Sequence, residues 1–376
     1  MEAAGNEHTV LLRSDGQAVA WGCNRDGQCN IPPLEQGVSY IQASAGENHT
    51  VLLRSDGQAV TCGSNRHGQC NIPPLDQGTK YSVVAGGCWH TVFLQSDGQA
   101  VACGSNNSGQ CNIPPLEPGF SYIQASAGTC HTVLLRSDGQ AVVCGCPTRT
   151  SVPPLDEGIQ YTQVSAGAYH TVLLRSDGLA VAFPNYNDGR THIPPLGQGL
   201  SYTQVSAGAC FTLLLRSDGQ AVECWGNKRG GCKIPPLDEG LQYTQVSAGG
   251  SHSLLFRSDG QAVDCPSMGT ERWNSNIPPL PPGCYYVCKK LKDRVLQFEC
   301  VCADDAVILT CIGLDGNEVV RLNAHKSDLA VDACMNVARD LHISPESLRM
   351  VLPDGQLLDS ICQSNPCATL SDLVQL

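Results

Sequence analysis

The sequence predicts a mainly β protein, with a seven-bladed β-propeller over residues 1–291 and a small α+β unit over 292–376. Three observations carry this expectation. The tripeptide Ser-Asp-Gly recurs seven times, with its aspartate at Asp15, Asp56, Asp97, Asp138, Asp177, Asp218 and Asp259. The intervals are 41, 41, 41, 39, 41 and 41 residues, which marks an array of one repeated unit. Each unit holds short β-branched and apolar runs between Gly- and Pro-rich turns, with no ten-residue stretch of helical periodicity, and this excludes a helical solenoid.

One unit, residues 38–78, shows how each element is read. Tyr40 to Ala45 forms a first strand and His49 to Arg54 a second. Ser55-Asp56-Gly57 then turns the chain into a third strand beginning at Gln58-Ala59-Val60. Asp-Gly between apolar runs signals a hairpin with a type I′ turn, whose two central residues take positive φ. A short fourth strand carries Ile72 and ends at Pro73-Pro74-Leu75, at an outer edge because proline has no N–H for a ladder. Four short strands repeated seven times is a propeller pattern. The first copy starts at Met1-Glu2-Ala3-Ala4-Gly5 and lacks its own first strand. Residues 284–290 resemble that missing start, so they are expected to pair with the first blade and close the ring.

Composition narrows the function classes. Asp+Glu number 35 against Lys+Arg 23, a formal charge of −12, which argues against duplex nucleic acid as a partner. No run of 18 apolar residues spans a membrane, and the N-terminus has no signal-peptide pattern. The expectation is a reducing compartment, the cytoplasm or the nucleus. The 22 cysteines contain no Cys-x-x-Cys pair, so no metal centre and no cofactor is expected.

With Ala-Gly-x-x-His-Thr, Ser-Asp-Gly, Cys-Gly-x-Asn and Gly-Gln-Cys, the unit resembles the regulator of chromosome condensation repeat family over about residues 1–290. The resemblance implies a propeller but no single activity, because such propellers serve as nucleotide exchange factors, enzyme inhibitors, photoreceptors and recognition modules of large ubiquitin ligases. The ultraviolet-B photoreceptors of plants use a Gly-Trp-Arg-His-Thr motif. Here Gly87-Cys88-Trp89-His90-Thr91 lacks the arginine, which argues against light sensing. The basic tail of the chromatin-bound exchange factor is absent from the start of the sequence.

The recurring polar residues read as scaffold. His8, His49, His90, His131, His170 and His252 share one frame position with Phe211, which points to partly buried rings satisfying backbone groups. The seven aspartates are turn formers. Cys62, Cys103, Cys144, Cys224 and Cys265 share one position, and Cys29, Cys70, Cys111 and Cys232 another. Equivalent cysteines on blades about 10 Å apart are too distant for disulfides and read as core. No nucleophile triad, phosphate loop or carboxylate pair stands out, so no catalytic residue is assigned and the chain is not read as an enzyme.

Function is then expected where the copies differ. One variable set is the residue pair between Gly and His, as in Glu47-Asn48, Cys88-Trp89 and Ala168-Tyr169. The other is the loop after the third strand. Equivalent loops return to one face, so these form a rim with Arg25, Arg66, Arg149, Arg190, Lys228, Arg229 and Arg272 against Asp26, Asp188 and Glu271, a net +4. Trp89, Tyr169 and Trp273 add aromatic anchors of the kind enriched in interface hot spots. The expected partner is a protein with an acidic surface.

Residues 292–376 read as a hairpin, from Val307–Thr310 into Glu318–Leu322, then a helix capped by Ser327 or Asp328, then a strand over Leu348–Leu352. This order resembles ubiquitin and its β-grasp relatives, and Val351 falls where that family carries an apolar interaction patch. The stretch ends before the family's last strand and without Gly-Gly; the strand around Val295 to Cys302 is a candidate to fill the gap. The leading expectation is a non-catalytic interaction scaffold that recognises a protein through its variable loops. The alternatives are a substrate-recognition component linked to ubiquitin ligation, with ubiquitin-pathway partners, and a guanine-nucleotide exchange factor for a small GTPase.

Overall fold

The structure is a computed structural model, describing residues 3–146, 151–184, 189–225, 234–259, 261–266, 277–278, 295–303, 306–312, 318–325 and 349–351. The chain divides into two compact units, Met1–Val287 and Cys288–Leu376.

The first unit holds seven antiparallel sheets, each of three consecutive strands. In the second blade these are an inner strand Tyr40–Ala45, a middle strand His49–Arg54 and an outer strand Ala59–Gly63. The middle strand His-Thr-Val-Leu-Leu is buried at all five positions. That unbroken run, without polar alternation, is what a strand covered on both faces requires. The apolar core therefore lies between blades: Val51 and Leu53 of one meet Tyr81, Val84 and Phe93 of the next.

Three sequence expectations are corrected. The proposed fourth strand is not a strand. Ile72-Pro73-Pro74-Leu75 runs outside the ladder because prolines cannot donate, and instead Ile72 and Leu75 cover the core between blades. The Tyr81 hydroxyl donates to the Pro73 carbonyl, as Tyr40 does to Pro32 at 2.7 Å, so each segment is tied to the following blade. The Ser-Asp-Gly turn is a three-residue loop rather than type I′. The Arg54 N–H donates to Gln58 O at 2.8 Å and the Gly57 N–H to Arg54 O at 3.0 Å. The left-handed residue Gly57, at φ +85°, is thus the last residue of the turn. Finally, the first blade keeps a two-residue inner strand, Ala3–Ala4, paired with Val10 and Thr9.

Adjacent blades are joined by three layers of hydrogen bonds. Near the axis, backbone N–H groups donate to glycine carbonyls of the next blade: Glu47 to Gly87 at 3.3 Å, Cys88 to Gly128 at 3.1 Å, Ala168 to Gly208 at 3.1 Å and Ala209 to Gly249 at 3.1 Å. Along the inner strands, the Gln42 amide both donates to Val84 O at 2.9 Å and accepts from Val84 N at 3.1 Å, imitating a ladder rung. Ser44 Oγ accepts from Gly86 N at 2.9 Å. Gln204 and Ser206 repeat this pair at the sixth blade. Unpaired strand edges facing the axis are satisfied in this way.

The third layer uses the histidines, which are fully buried rather than partly so. Each of the six bonds through Nε2 to a Thr hydroxyl of the next blade: His8 to Thr50 at 2.9 Å, His49 to Thr91 at 2.9 Å, His90 to Thr132 at 2.9 Å, His131 to Thr171 at 3.1 Å, His170 to Thr212 at 2.8 Å and His252 to Thr9 at 2.6 Å. Thr50 and Thr91 in turn donate to Gln28 O and Gln69 O, so His8 and His49 carry their proton on Nε2. Desolvation by burial holds His8, His90 and His252 down at about 3 and His49 at about 4.

The ring closes between blades seven and one: Gly250 N donates to Gly5 O at 2.9 Å, Ala4 N to Ser247 Oγ at 3.2 Å, and Ser251 Oγ to Asn6 O at 2.9 Å. The expected pairing of 284–290 with the first blade lies outside the described residues.

In the second unit, Val295–Ala303 pairs antiparallel with Ala306–Ile312, which pairs antiparallel with Glu318–His325. Arg349–Val351 adds in parallel to Val295–Gln297, giving a four-stranded mixed sheet. The expected hairpin is therefore a ladder, and Val295–Ala303 takes a central place in the sheet. The helix expected after Ser327 lies outside the described residues.

Candidate functional site: the loop end of the propeller

His49 pairs with Gly63 at the ends of their strands, so the Gly46–His49 turn and the loop after Gly63 emerge at the same end of the blade. The two variable sets of residues therefore share one end, and the Ser-Asp-Gly turns occupy the other.

The loops of the first three blades stand on a fixed base. In the second blade Asn65 Oδ1 accepts from Cys70 N at 2.9 Å, and Asn65 Nδ2 donates to Asn71 Oδ1 at 2.8 Å. Gln69 is buried and its Oε1 accepts from His67 N at 2.9 Å. Its carbonyl receives Thr91 at 2.7 Å and Cys103 Sγ at 3.4 Å from the next blade. The path His49–Thr91–Gln69 thus carries the rigidity of the core up to the loop that displays Arg66. The cysteines at the Cys62 and Cys103 positions are half-buried thiols beside these carbonyls, with burial pushing both up to about 12. The thirteen cysteines described in the propeller, from Cys23 to Cys265, are free thiols.

The expected site residues fall as follows. Arg25 is exposed on the first loop, and Arg66 is 81% exposed on the second. Arg66 Nη2 reaches Asp26 Oδ1 of the preceding loop at 3.3 Å, which ties neighbouring loops together. Trp89 is exposed at the turn of the third blade, its ring 5.8 Å from that of His67. Tyr169 is exposed at the turn of the fifth, with the Arg190 guanidinium 5.8 Å from its ring centroid. Arg190 replaces the buried loop glutamine of other blades, and its carbonyl keeps that residue's bond, accepting from Thr212 at 2.8 Å. Arg149, Lys228, Arg229, Arg272 and Trp273 lie outside the described residues. Val351 belongs to the strand Arg349–Val351 of the second unit, beside Gln297.

Sequence reasoning passed over two acids at this end. Glu7 and Glu47 sit in the inner turns, Glu47 beside the axis and Glu7 exposed at the frame position of Trp89, so the described loop end carries three basic and three acidic side chains. The signal lies in the variable pairs between Gly and His, where Glu7 and Glu47 carry charge. The bases lie on the outer loops and the acids of the turns lie further in. The opposite end differs: its turns and Pro-Pro-Leu segments carry fourteen acidic against seven basic side chains. Many of those are paired within one turn, as Arg54 with Asp56 at 2.6 Å, Arg136 with Asp138 at 2.7 Å and Arg257 with Asp259 at 2.6 Å. These aspartates also accept the N–H two residues on, as Asp56 does from Gln58 at 3.0 Å.

Among the described residues no group of three or more His, Cys, Asp or Glu side chains could hold a metal ion. No helix among them is long and apolar enough to cross a membrane.

This architecture is that of a seven-bladed β-propeller, and comparison with known proteins agrees. The sequence pattern of the Regulator of chromosome condensation (RCC1) repeat matches residues 3–28 and 40–69. Among solved structures, Prp20p from Saccharomyces cerevisiae is 18% identical with a TM-score of 0.57, covering 72% of this chain and 83% of its own. The CRINKLY WD40 ectodomain of the Arabidopsis thaliana receptor kinase ACR4 is 19% identical with a TM-score of 0.56, covering 70% and 94%. Human WBSCR16 is 18% identical with a TM-score of 0.57, covering 68% and 86%. At such identities the likeness shows the fold alone. No curated protein matches the sequence. Nothing in these likenesses supports a ubiquitin-like domain in 292–376.

Proposed function

We propose that this chain is a non-catalytic recognition propeller whose loop end binds a protein partner. The observation that carries the reading is the division of labour within each blade. His49, Thr91 and Gln69 hold the base of the second loop in the core, while Arg25, Arg66, Trp89, Tyr169 and Arg190 differ from copy to copy at a single end. Exposed Trp, Tyr and Arg on rigid supports are the side chains that dominate protein interfaces. The proposal includes Arg149, Lys228, Arg229, Arg272 and Trp273 by their place in the sequence repeat, and the partner presents acidic groups to the outer bases. Reversing Arg66, Lys228 and Arg272 together abolishes capture of the partner from cell extract. Capture at wild-type level would place the interface elsewhere.

A second reading is exchange of guanine nucleotide on a small GTPase. The likeness to Prp20p favours it, since that protein's structure is described with its binding to Gsp1p and histones, and again with Kap60 bound. A nuclear rather than cytoplasmic location goes with this reading. Accelerated release of labelled GDP from a panel of small GTPases tests it. The link to ubiquitin ligation rests on the resemblance of the repeat to recognition propellers of large ubiquitin ligases, with the resemblance of 292–376 beside it; co-purification of ligase subunits tests it.

A further inference from the structure

The inner strands of the seven blades enclose an axial cavity of about 240 Å³. Its walls are mostly Ala, Ser and Gly, because closely approaching inner strands leave no room for larger side chains. At Gly46, for instance, a Cβ would stand 2.3 Å from His49 Cε1 and 2.4 Å from the Gly87 carbonyl oxygen. Toward the loop end the lining changes character. Asn6, Glu47 and Cys88 stand on one side, and Ala168, Ala209 and Gly250 on the other. Glu47 is the one charged side chain among the lining residues, and it has no ion-pair partner among the described residues. Cys88 does not compete as an anion: its Sγ lies 3.0 Å from Thr129 Oγ1, and burial pushes its thiol up to about 12. The mouth is therefore a narrow, polar opening with one net negative charge, ringed further out by the basic loops.

We infer that this mouth receives one cationic side chain, a lysine or an arginine, of the protein partner, with Glu47 as its counter-charge. The inference rests on the proposed loop-end interface and names what occupies its centre. A half-buried carboxylate without a cation is costly to cover with a partner surface unless that surface brings the opposite charge. Asn6 Oδ1 beside Glu47 adds a neutral acceptor that an ammonium or guanidinium group can use, so the preference for a cation rests on the Glu47 carboxylate. The small side chains opposite Glu47 leave the axis open to a long, thin side chain. The partner surface that fits has acidic groups around a central cation, matching outer Arg25 and Arg66 and inner Glu47.

The test titrates the full chain with N-acetyl-L-argininamide and with its neutral citrulline counterpart, read by heteronuclear NMR. The arginine compound binds at least tenfold more tightly, and Glu47→Gln brings it to the level of the citrulline compound. Ala209→Leu, which fills the mouth and keeps the charge, blocks both, with its melting temperature confirming the fold. Equal binding of the two compounds, or unchanged binding to Glu47→Gln, overturns the inference. If the arginine compound binds but Glu47→Gln captures the partner as well as wild type does, the assignment to a partner side chain is likewise overturned. The double variant Arg66→Glu/Trp89→Ala leaves the small-molecule titration unchanged, so failure of the loop-end reading shows only in partner capture.

Discussion

Thr9 Oγ1 and His252 Nε2 lie 2.6 Å apart although 243 residues separate them in the chain. The same bond joins His8 to Thr50 and His49 to Thr91 within the ring, so the closing seam uses the hydrogen bond of the internal seams. Thr9→Val keeps the volume and removes the hydroxyl. It costs about 1–3 kcal/mol, the penalty for a buried polar group deprived of its partner. Thr50→Val costs a similar amount. Thermal unfolding of both variants checks this, and an effect at Thr50 with none at Thr9 would refute a closed ring.

Acid destabilises the propeller through its buried histidines. His8, His90 and His252 are held at about 3 and His49 at about 4, against an ordinary value of 6.5. Between those values the unfolded chain binds protons that the folded one refuses, so stability is full above pH 6.5 and falls as the pH drops below it. Four such groups give a slope of roughly 5 kcal/mol per pH unit at its steepest. Urea unfolding at pH 7, 6 and 5 measures it, and His49→Phe removes about one proton from the uptake. Phe211, which stands at this position in the sixth blade, shows that the ring volume fits.

Gly46 and Gly78 separate two causes of glycine preference. Gly46→Ala drives a methyl group into the His49 ring and the Gly87 carbonyl and costs more than about 3 kcal/mol, in the range of disruptive core changes. Gly78 has a φ of +86° with nothing within 4 Å of a would-be Cβ, so Gly78→Ala costs only the backbone term of about 1–2 kcal/mol. Denaturation midpoints of the two variants decide the order.

The third blade carries Ala85 where the second has Ser44 and the sixth Ser206. Those hydroxyls accept an N–H of the following inner strand at 2.9 Å. Ala85→Ser supplies the same acceptor for Ala127 and stabilises the seam by about 0.5–1.5 kcal/mol. A lowered midpoint in chemical denaturation would contradict the frame.

Much of this was legible in the sequence, because seven copies repeat each signal. The strands Tyr40–Ala45 and His49–Arg54 coincide with the runs marked by apolar content and turn residues. What escaped were polar residues acting across blades. Gln42 and Ser44 look like outward-facing positions of a strand, and only packing shows that they imitate a missing ladder. Their recurrence as Gln124 and Ser126, Gln163 and Ser165, and Gln204 and Ser206 was the available signal. Arg54 and its equivalents, two residues before six of the seven turn aspartates, were likewise visible as a pattern whose purpose needed coordinates. The Pro-Pro segment misled because an apolar run at the outer edge suggests a strand, whereas its missing N–H groups prevent one. Of the candidate site, the loop end and its aromatic residues could be read from variability between copies. Glu47 could not be ranked, since nothing in its sequence neighbourhood places it at the axis.

The central claim is that one end of a rigid ring, where the copies differ, is the recognition surface. Cross-linking mass spectrometry and quantitative capture with two charge-reversed variants test it most directly. One variant carries Arg25→Glu, Arg66→Glu and Arg190→Glu at the loop end; the other carries Asp97→Lys, Glu117→Lys and Asp238→Lys at the opposite end. Loss of the cross-linked partner in the first and its retention in the second is the predicted result. Retention in the first with loss in the second would contradict the account.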